Sequence, residues 1–185
     1  MILAHLPAGY LALKPFSSKF SSERAKSLWV CGLLASVLPD IDILYFYFVK
    51  LVLDGSPPSH RYFATHWPLF WLALFAIACG LLLVFKRKDL LSYPCIILAG
   101  VFLHLALDTI SAPVFYAAPF SWERLQFVRV PAVYNWWVMN FLRHWTFLLE
   151  LSICTIAILV HLTSYWLALR PRGRRMITHP SRRAG

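Results

Sequence analysis

Two short motifs within apolar segments carry the residues of this chain that could do chemistry. Asp40 and Asp42 lie in the motif LPDID at residues 38–42, and His104 and Asp108 lie in a second apolar segment. A charged side chain at the centre of a bilayer costs about 2.5–3.5 kcal/mol on insertion scales, so such groups usually pair with each other, with water or with a metal ion. Mixed imidazole and carboxylate groups are typical ligands of divalent metals. The motifs therefore predict a metal site at membrane depth.

His104 and Asp108 are four residues apart in a segment that we predict to be helical, so their side chains share one face, about 5–6 Å apart. At this spacing both residues can bind one ion, or the aspartate can orient a histidine that binds it. A His–Asp hydrogen bond that only packs two helices together fits the same spacing. The pair by itself leaves these alternatives open.

Asp40 and Asp42 are two residues apart, and on a regular helix their side chains would point in nearly opposite directions. Pro39 removes a backbone hydrogen bond and kinks or breaks a helix, so both carboxylates can turn towards one cavity. We expect Asp40 to bind a metal and Asp42 to be a second ligand, a bridge or a support. The alternative is a helix end at the outer membrane surface, with both carboxylates hydrated.

The polar segment that precedes the next apolar stretch contains three further candidates. Arg61 has the planar guanidinium that binds phosphate or carboxylate, and His60 and His66 are candidate metal ligands. Thr65 is typical of a helix N-cap, which would place His66 at the positive end of the helix dipole, where neutral imidazole is favoured. In isolation such residues are usually hydrated. Beside the two motifs, metal binding is the interpretation that we favour.

Two ionisable residues near the ends of the chain complete the candidates. His5 lies in a short apolar N-terminal segment and becomes a ligand if that segment dips into the bilayer. Glu150 lies in the last apolar segment and is a candidate ligand or general base. Arg143, two turns earlier on the same helical face, could partly neutralise Glu150, or it could anchor the helix at the membrane interface.

A membrane scaffold must position these residues, and the composition supports one. Of 185 residues, 59% are hydrophobic and 14% are charged, against about 25% charged in ordinary soluble domains. We predict an all-α integral membrane helical bundle with about four transmembrane helices and a short re-entrant or interfacial N-terminal helix. Four segments have the roughly 20 apolar residues that a spanning helix needs: 27–49, 67–85, 90–110 and 141–169.

The formal charge of +10 is concentrated beside the apolar segments. Lys and Arg cluster in residues 14–26, 86–88 and 170–185, and such clusters orient membrane proteins with the basic side in the cytoplasm. We predict a bacterial inner membrane protein with a single domain at 1–169, a basic cytoplasmic tail at 170–185 and both termini in the cytoplasm. The metal site then lies towards the outer face. This charge placement favours membrane lipid over nucleic acid as the partner.

In their order along the chain, these motifs resemble the YdjM-type membrane-bound metal-dependent hydrolases. The resemblance covers residues 1 to about 120: an early histidine, the LPDID motif, an HRxxxTH segment and an HxxxD motif. That family is in turn similar to the zinc-dependent phospholipase C and P1-type nuclease group. The chain departs from the family pattern at Tyr62, where glycine is usual, and after the HxxxD motif, where Ala-Pro-Val at residues 112–114 replaces a glycine.

The resemblance implies metal-binding roles for several of the candidates, with Asp42 and Arg61 close by. The implied ligands are His5, Asp40, His104, Asp108 and either His60 or His66.

The candidate ligands and the resemblance together predict a membrane-embedded metal-dependent hydrolase. The cofactor would be a divalent metal, zinc by preference, with manganese or iron as alternatives. Such ions activate water and neutralise phosphoryl oxygens. We expect cleavage of a phosphoester in a lipid or lipid-linked substrate, with Arg61 holding the phosphate and Asp42 or Glu150 accepting the proton. Metal-ion or proton transport is one alternative, and a non-catalytic structural membrane protein is another.

Overall fold

The computed structural model describes residues 3–19, 22–53 and 59–169, and 74% of these residues are helical, with no strand among them. The described residues form seven α-helices: α1 His5–Leu13, α2 Glu23–Ala35, α3 Asp42–Val52, α4 Pro68–Val84, α5 Ser92–Ser111, α6 Trp137–Leu142 and α7 Thr146–Leu169. Three short 3₁₀ segments matter for the site: the Pro39 turn (Leu38–Ile41), the Arg61 turn (His60–Tyr62) and the His66 turn (Ala64–His66). The predicted all-α fold is confirmed, and α1 is the predicted short N-terminal helix.

Helix α2 and the segment that follows it are separated by a sharp break. Glu23–Ala35 and Leu38–Val52 are bent by 59° relative to each other, and the Pro39 turn lies between them. Proline has no N–H to continue the helix. The Asp40 N–H, which a continuous helix would direct to the Ser36 carbonyl, instead donates to the Val37 carbonyl at 3.2 Å. The break therefore frees the Ser36 carbonyl for another donor.

Helix α5 lies at the centre of the fold and packs against α1, α2 and α4. Its buried residues recur at the spacing of one helical face: Gly100, Val101, His104, Leu105, Asp108 and Thr109. The helix ends at Ser111, and Ala112, which precedes a proline, adopts an extended conformation, as the steric demand of that proline requires. The face that packs the core thus also carries the HxxxD pair.

The number of long apolar helices is smaller than the four predicted spans. Among the described residues, Lys88–Ser111 and Thr146–Leu169 are long and apolar enough to cross a membrane, and the bent α2–α3 pair adds a third if it counts as one span. Helix α4 has 17 residues, which corresponds to about 25 Å against the roughly 30 Å hydrocarbon core. The break at Pro39 and the start of α4 at Pro68 explain the difference.

The basic segments and the HxxxD pair lie at opposite ends of α5. The Arg24 side chain donates to the Ser92 hydroxyl at 3.4 Å, and the Tyr93 hydroxyl donates to Ser27 at 3.2 Å. The basic start of α2 therefore lies beside the start of α5, which residues 86–88 directly precede. His104 is 12 residues further along, or about 18 Å at the rise of an α-helix. The basic tail 170–185 lies outside the described residues.

The close packing of α2 on α5 predicts contrasting effects of two glycine substitutions. A Cβ at Gly100 would lie 2.8 Å from the Ala35 Cβ and 2.8 Å from the Gly32 carbonyl oxygen, whereas one at Gly80 would meet nothing within 4 Å. We expect Gly100→Ala to lower the free energy of unfolding by about 1–3 kcal/mol through overpacking. Gly80→Ala, the control, should be neutral or stabilising by up to about 1 kcal/mol.

Thermal unfolding of both variants in detergent measures this difference. Equal midpoints for Gly100→Ala and Gly80→Ala would contradict the packing of α2 on α5.

Candidate metal centre

Five ionisable side chains from four elements form two groups of three that share His104, with the ligand atoms of each group within 4.8 Å of one another. His5 comes from α1, Asp40 from the Pro39 turn, His66 from the His66 turn, and His104 and Asp108 from α5. The side chains of both α5 residues, His5 and His66 are at most 2% exposed, whereas that of Asp40 is 25% exposed. Four of the groups are thus buried, and Asp40 opens the cluster to a cavity. These five residues are called the metal cluster below.

The Nε2 atoms of the three histidines face the oxygens of the two carboxylates at distances suited to ligands of a shared ion. From His5 the distances are 3.3 Å to Asp108 and 3.9 Å to Asp40. From His66 they are 3.4 Å to Asp40 and 3.9 Å to Asp108, and from His104 they are 3.6 Å and 3.9 Å to the same two groups. Ligands at 2.0–2.1 Å from a tetrahedral ion lie about 3.4 Å apart. The observed spacing can hold such an ion.

A backbone carbonyl fixes the tautomer of His104. Its Nδ1 lies 2.9 Å from the Ser36 carbonyl, and because a carbonyl only accepts, Nδ1 carries the hydrogen and a neutral ring has its lone pair on Nε2. This buried Nε2 has no hydrogen-bond partner in the described part of the chain. A polar atom left this way inside a protein is costly unless something binds it. Ser36 is not among the predicted site residues, and the sequence signal for its freed carbonyl is Pro39.

Asp42 holds His66 in the corresponding way. Its Oδ2 atom lies 2.9 Å from the His66 Nδ1 and also accepts a hydrogen bond from the Thr65 hydroxyl. A carboxylate on the far side of an imidazole orients the ring and increases its basicity towards a metal. Of the three roles expected for Asp42, these contacts favour the support. The prediction of Thr65 as an N-cap was wrong, because α4 begins only at Pro68 and the His66 turn directs the Thr65 hydroxyl to Asp42.

Helix α7 anchors the helix that carries His5. The fully buried Glu150 carboxylate accepts hydrogen bonds from the backbone N–H groups of Ala4, at 2.8 Å, and Leu3. His5 follows directly and stacks on His104, with ring centroids 3.7 Å apart and planes inclined by 18°. Glu150 was expected as a ligand or general base. Its contacts with the two N–H groups support a positioning role at the start of α1, and the expected role as ligand or general base stays a prediction.

The charges around the metal cluster leave room for a divalent cation. With the Asp40, Asp42 and Asp108 carboxylates ionised, the site holds three negative charges, and Arg61 offsets one of them by donating to Asp108 at 2.6 Å. With neutral imidazoles, two negative charges remain. Buried charge of this size is costly unless a counter-ion compensates it. A divalent ion bound by His and Asp residues provides this compensation.

The two histidines outside the long helices respond differently to their surroundings. Burial lowers the pKa of the His5 imidazole, and the hydrogen bond with Asp108 opposes this change without reversing it. Burial also acts to lower the pKa of His66, but the Asp40 and Asp42 carboxylates outweigh it and hold that pKa above its usual value. The difference follows from the number of carboxylates that each ring faces.

Two other predicted residues have different outcomes. His60 begins the Arg61 turn, but its side chain lies outside the described residues, so its role as a ligand stays a prediction. Arg143, expected either as an interfacial anchor or as a partner of Glu150, donates to the Tyr134 hydroxyl at 2.5 Å and stacks over the Tyr134 ring. The guanidinium therefore contacts the loop before α6, which agrees with an anchoring role.

The part of the chain that the structure describes lies within a match to one protein family. Residues 1–177 match the family described as YdjM inner membrane protein. The chain belongs to this family. No curated protein and no solved structure matches the chain. The YdjM match supports an inner membrane protein, whereas the expected similarity to the phospholipase C and nuclease group stays a prediction.

The anchor of α1 in this YdjM family protein predicts the effect of changing Glu150. Glu150→Ala leaves the Leu3 and Ala4 N–H groups without their acceptor, and an unsatisfied buried group such as the Ala4 N–H costs about 1–3 kcal/mol. Glu150→Gln keeps one acceptor oxygen and should lose less. We expect faster hydrogen exchange over residues 3–13 and a lower unfolding midpoint, with Glu150→Ala more affected than Glu150→Gln.

Ser152→Ala on the same helix is the matched control, because the Ser152 hydroxyl bonds only within α7, to Leu148. If Glu150→Ala exchanges no faster than Ser152→Ala over residues 3–13, Glu150 does not anchor α1.

Proposed function

We propose that this YdjM family protein is a membrane-embedded metal-dependent hydrolase that cleaves a phosphoester of a lipid or lipid-linked substrate. The observation that carries the proposal is the convergence of three histidine Nε2 atoms on Asp40 and Asp108. The rings of His66 and His104 are held from behind by a carboxylate and a carbonyl. Such support is typical of metal-binding histidines.

The metal cluster would hold a divalent ion, zinc by preference and manganese or iron as alternatives. Neutral imidazole nitrogens with carboxylate oxygens suit zinc, and the carboxylate share also admits manganese and iron. A bound ion would supply Lewis acidity towards water and towards the phosphoryl oxygens of a substrate. We propose that this ion is held by the residues of the metal cluster: His5, Asp40, His66, His104 and Asp108.

Arg61 and Asp40 are the charged residues that connect the cluster to the adjacent cavity. One guanidinium nitrogen of Arg61 donates to Asp108, and the remaining N–H groups can hold a phosphate in the fork geometry of arginine. A water molecule then attacks phosphorus, and the ester P–O bond breaks. The proton of this water passes to the leaving oxygen, so the products are a phosphate and an alcohol. Asp42 and Glu150, predicted as proton acceptors, act as positioning residues in this scheme.

The distribution of polar groups favours hydrolysis over transport. An ion or proton pathway needs polar groups spaced through the thickness of the membrane. Here the ligand groups are collected in one cluster, about 18 Å along α5 from the basic start of that helix. A single cluster beside a cavity is the arrangement expected of a site that binds and cleaves a substrate.

The same distribution supports a site towards the outer face of the inner membrane. Basic residues near the start of α2 and in 86–88 lie at the end of α5 that is remote from the metal cluster. Under the positive-inside rule, that end faces the cytoplasm. The predicted cytoplasmic positions of the two termini stay predictions, because Met1, Ile2 and residues 170–185 lie outside the described residues.

Metal content tests the first half of the proposal. Detergent-purified protein, measured by elemental mass spectrometry after reconstitution, should contain at least one equivalent of zinc, manganese or iron. His104→Ala and Asp40→Ala should each lose it, because each removes a ligand. His161→Ala, which changes an exposed histidine far along α7, should keep the metal. A folded wild-type protein that stays empty with all three metals would exclude the metal-dependent reaction.

Arg61→Lys tests the second half. Lysine keeps the positive charge beside Asp108 but loses the planar fork that binds phosphate. With metal bound as in the wild type, we expect kcat/KM for bis-p-nitrophenyl phosphate or p-nitrophenyl phosphate to fall by about 10-fold to 1000-fold, as when a transition-state donor is lost. Arg143→Lys, which changes the arginine on Tyr134, is the control. Unchanged kcat/KM in Arg61→Lys would contradict a phosphate-binding role.

A further inference from the structure

A large cavity adjoins the metal cluster between α3, α6 and the loop that follows α5. Its volume is about 760 Å³, within the usual range for small-molecule sites. Asp40 and Arg61 lie in its wall, so the cavity and the metal cluster form one continuous space. A ligand in the cavity can therefore reach the cluster with one end.

The rest of the cavity wall is mainly apolar. Ile43 and Phe46 line it from α3, and Val138 and Phe141 line it from α6. The amide of Asn140, a polar residue of the same wall, is already bonded to the backbone of residues 133 and 134. A nucleotide or sugar phosphate would leave its hydroxyl groups unpaired against such walls, at a cost in free energy. A hydrocarbon chain would bury apolar surface there.

The outer faces of the two wall helices are also apolar. Leu44, Phe48 and Leu51 of α3 are exposed, as is Leu142 of α6, and none of these residues lines the cavity. In a membrane protein such faces contact lipid tails, so hydrocarbon lies beside both walls of the cavity. A lipid could enter from the bilayer without its chain crossing water.

We propose that this cavity binds the acyl chain of an anionic phospholipid whose phosphate is held by Arg61. This acyl-chain site rests on the proposed function, because that function supplies the reaction of the phosphate. The site adds the reason why a lipid would be selected over a soluble phosphoester. The Arg61 guanidinium in the cavity wall can hold a phosphate, and the apolar walls match the chain. Val138 and Ala132, which line the cavity from α6 and from the preceding loop, are then determinants of specificity.

Photoaffinity labelling tests the site independently of hydrolysis. The probe is phosphatidic acid with a diazirine at the end of one acyl chain, in phosphatidylcholine vesicles that contain the protein. We expect labelled peptides from 42–52 and 137–142. Val138→Trp and Ala132→Trp fill the cavity from two directions and should each reduce this labelling about ten-fold, a loss equivalent to about 1.4 kcal/mol of binding free energy.

Leu142→Trp is the matched control, because it enlarges an exposed residue of α6 that does not line the cavity. Its labelling should stay within about two-fold of the wild type. The proposal would be overturned if a folded cavity variant were labelled as strongly as the wild type and Leu142→Trp. That result would show that the lipid lies only on the outer surface.

A second comparison separates this proposal from the hydrolase itself. Dioleoyl phosphatidic acid and glycerol 3-phosphate carry the same phosphomonoester, with and without acyl chains. In zinc-loaded protein, Val138→Trp should slow hydrolysis of the first and leave the second unchanged, whereas equal effects on both would contradict an acyl-chain site. If neither compound is hydrolysed while cavity labelling persists, zinc-dependent hydrolysis of phosphomonoesters is excluded and the lipid site stands.

Discussion

The hydrogen bond from the His104 ring to the Ser36 carbonyl joins the helix break to the metal cluster. Pro39 ends the regular helix, so the Ser36 carbonyl loses its usual donor and accepts from His104 at 2.9 Å. That bond fixes the hydrogen on Nδ1 and turns Nε2 towards Asp40 and Asp108. The same break turns Asp40 into the cluster and Asp42 onto His66. One proline thus determines the tautomer of one candidate ligand and the directions of two carboxylates.

The cluster in turn explains features of the fold that would otherwise be costly. Helix α1 has nine residues, too few to span a bilayer, yet it contributes the fully enclosed His5. It stays in place because Glu150 of α7 accepts hydrogen bonds from the N–H groups of Leu3 and Ala4, which directly precede the helix. It also packs on α2, α5 and α7. A short helix at membrane depth is tolerated only when neighbouring protein satisfies its polar groups. Here those neighbours also place the imidazole.

Burial divides the site into a rigid part and an open part. The three histidines and Asp108 are enclosed by helices and turns, which limits their motion and holds their ligand atoms close together. Asp40 and Arg61 face the cavity, where a substrate can reach them. The match to the YdjM inner membrane protein family extends over residues 1–177 and so includes the helices of both parts. A pre-formed cluster beside an apolar cavity suits chemistry on a molecule that is itself partly hydrocarbon.

The sequence by itself determined the all-helical membrane fold, the short first helix, the break at Pro39 and four candidates of the metal cluster, namely His5, Asp40, His104 and Asp108, because hydropathy, proline and ionisable groups act locally. The sequence predicted too many membrane spans, since the bend between α2 and α3 and the length of α4 depend on packing. It also left open the roles of Asp42 and Glu150 and the choice between His60 and His66 as a ligand. The tertiary structure brought His66 beside Asp40, placed Asp42 behind the His66 ring and directed Glu150 to the α1 backbone. These contacts join residues 24 to 147 positions apart. Local propensities carry no information about residues so far apart in the sequence, and only the packing of the helices decides which partners meet.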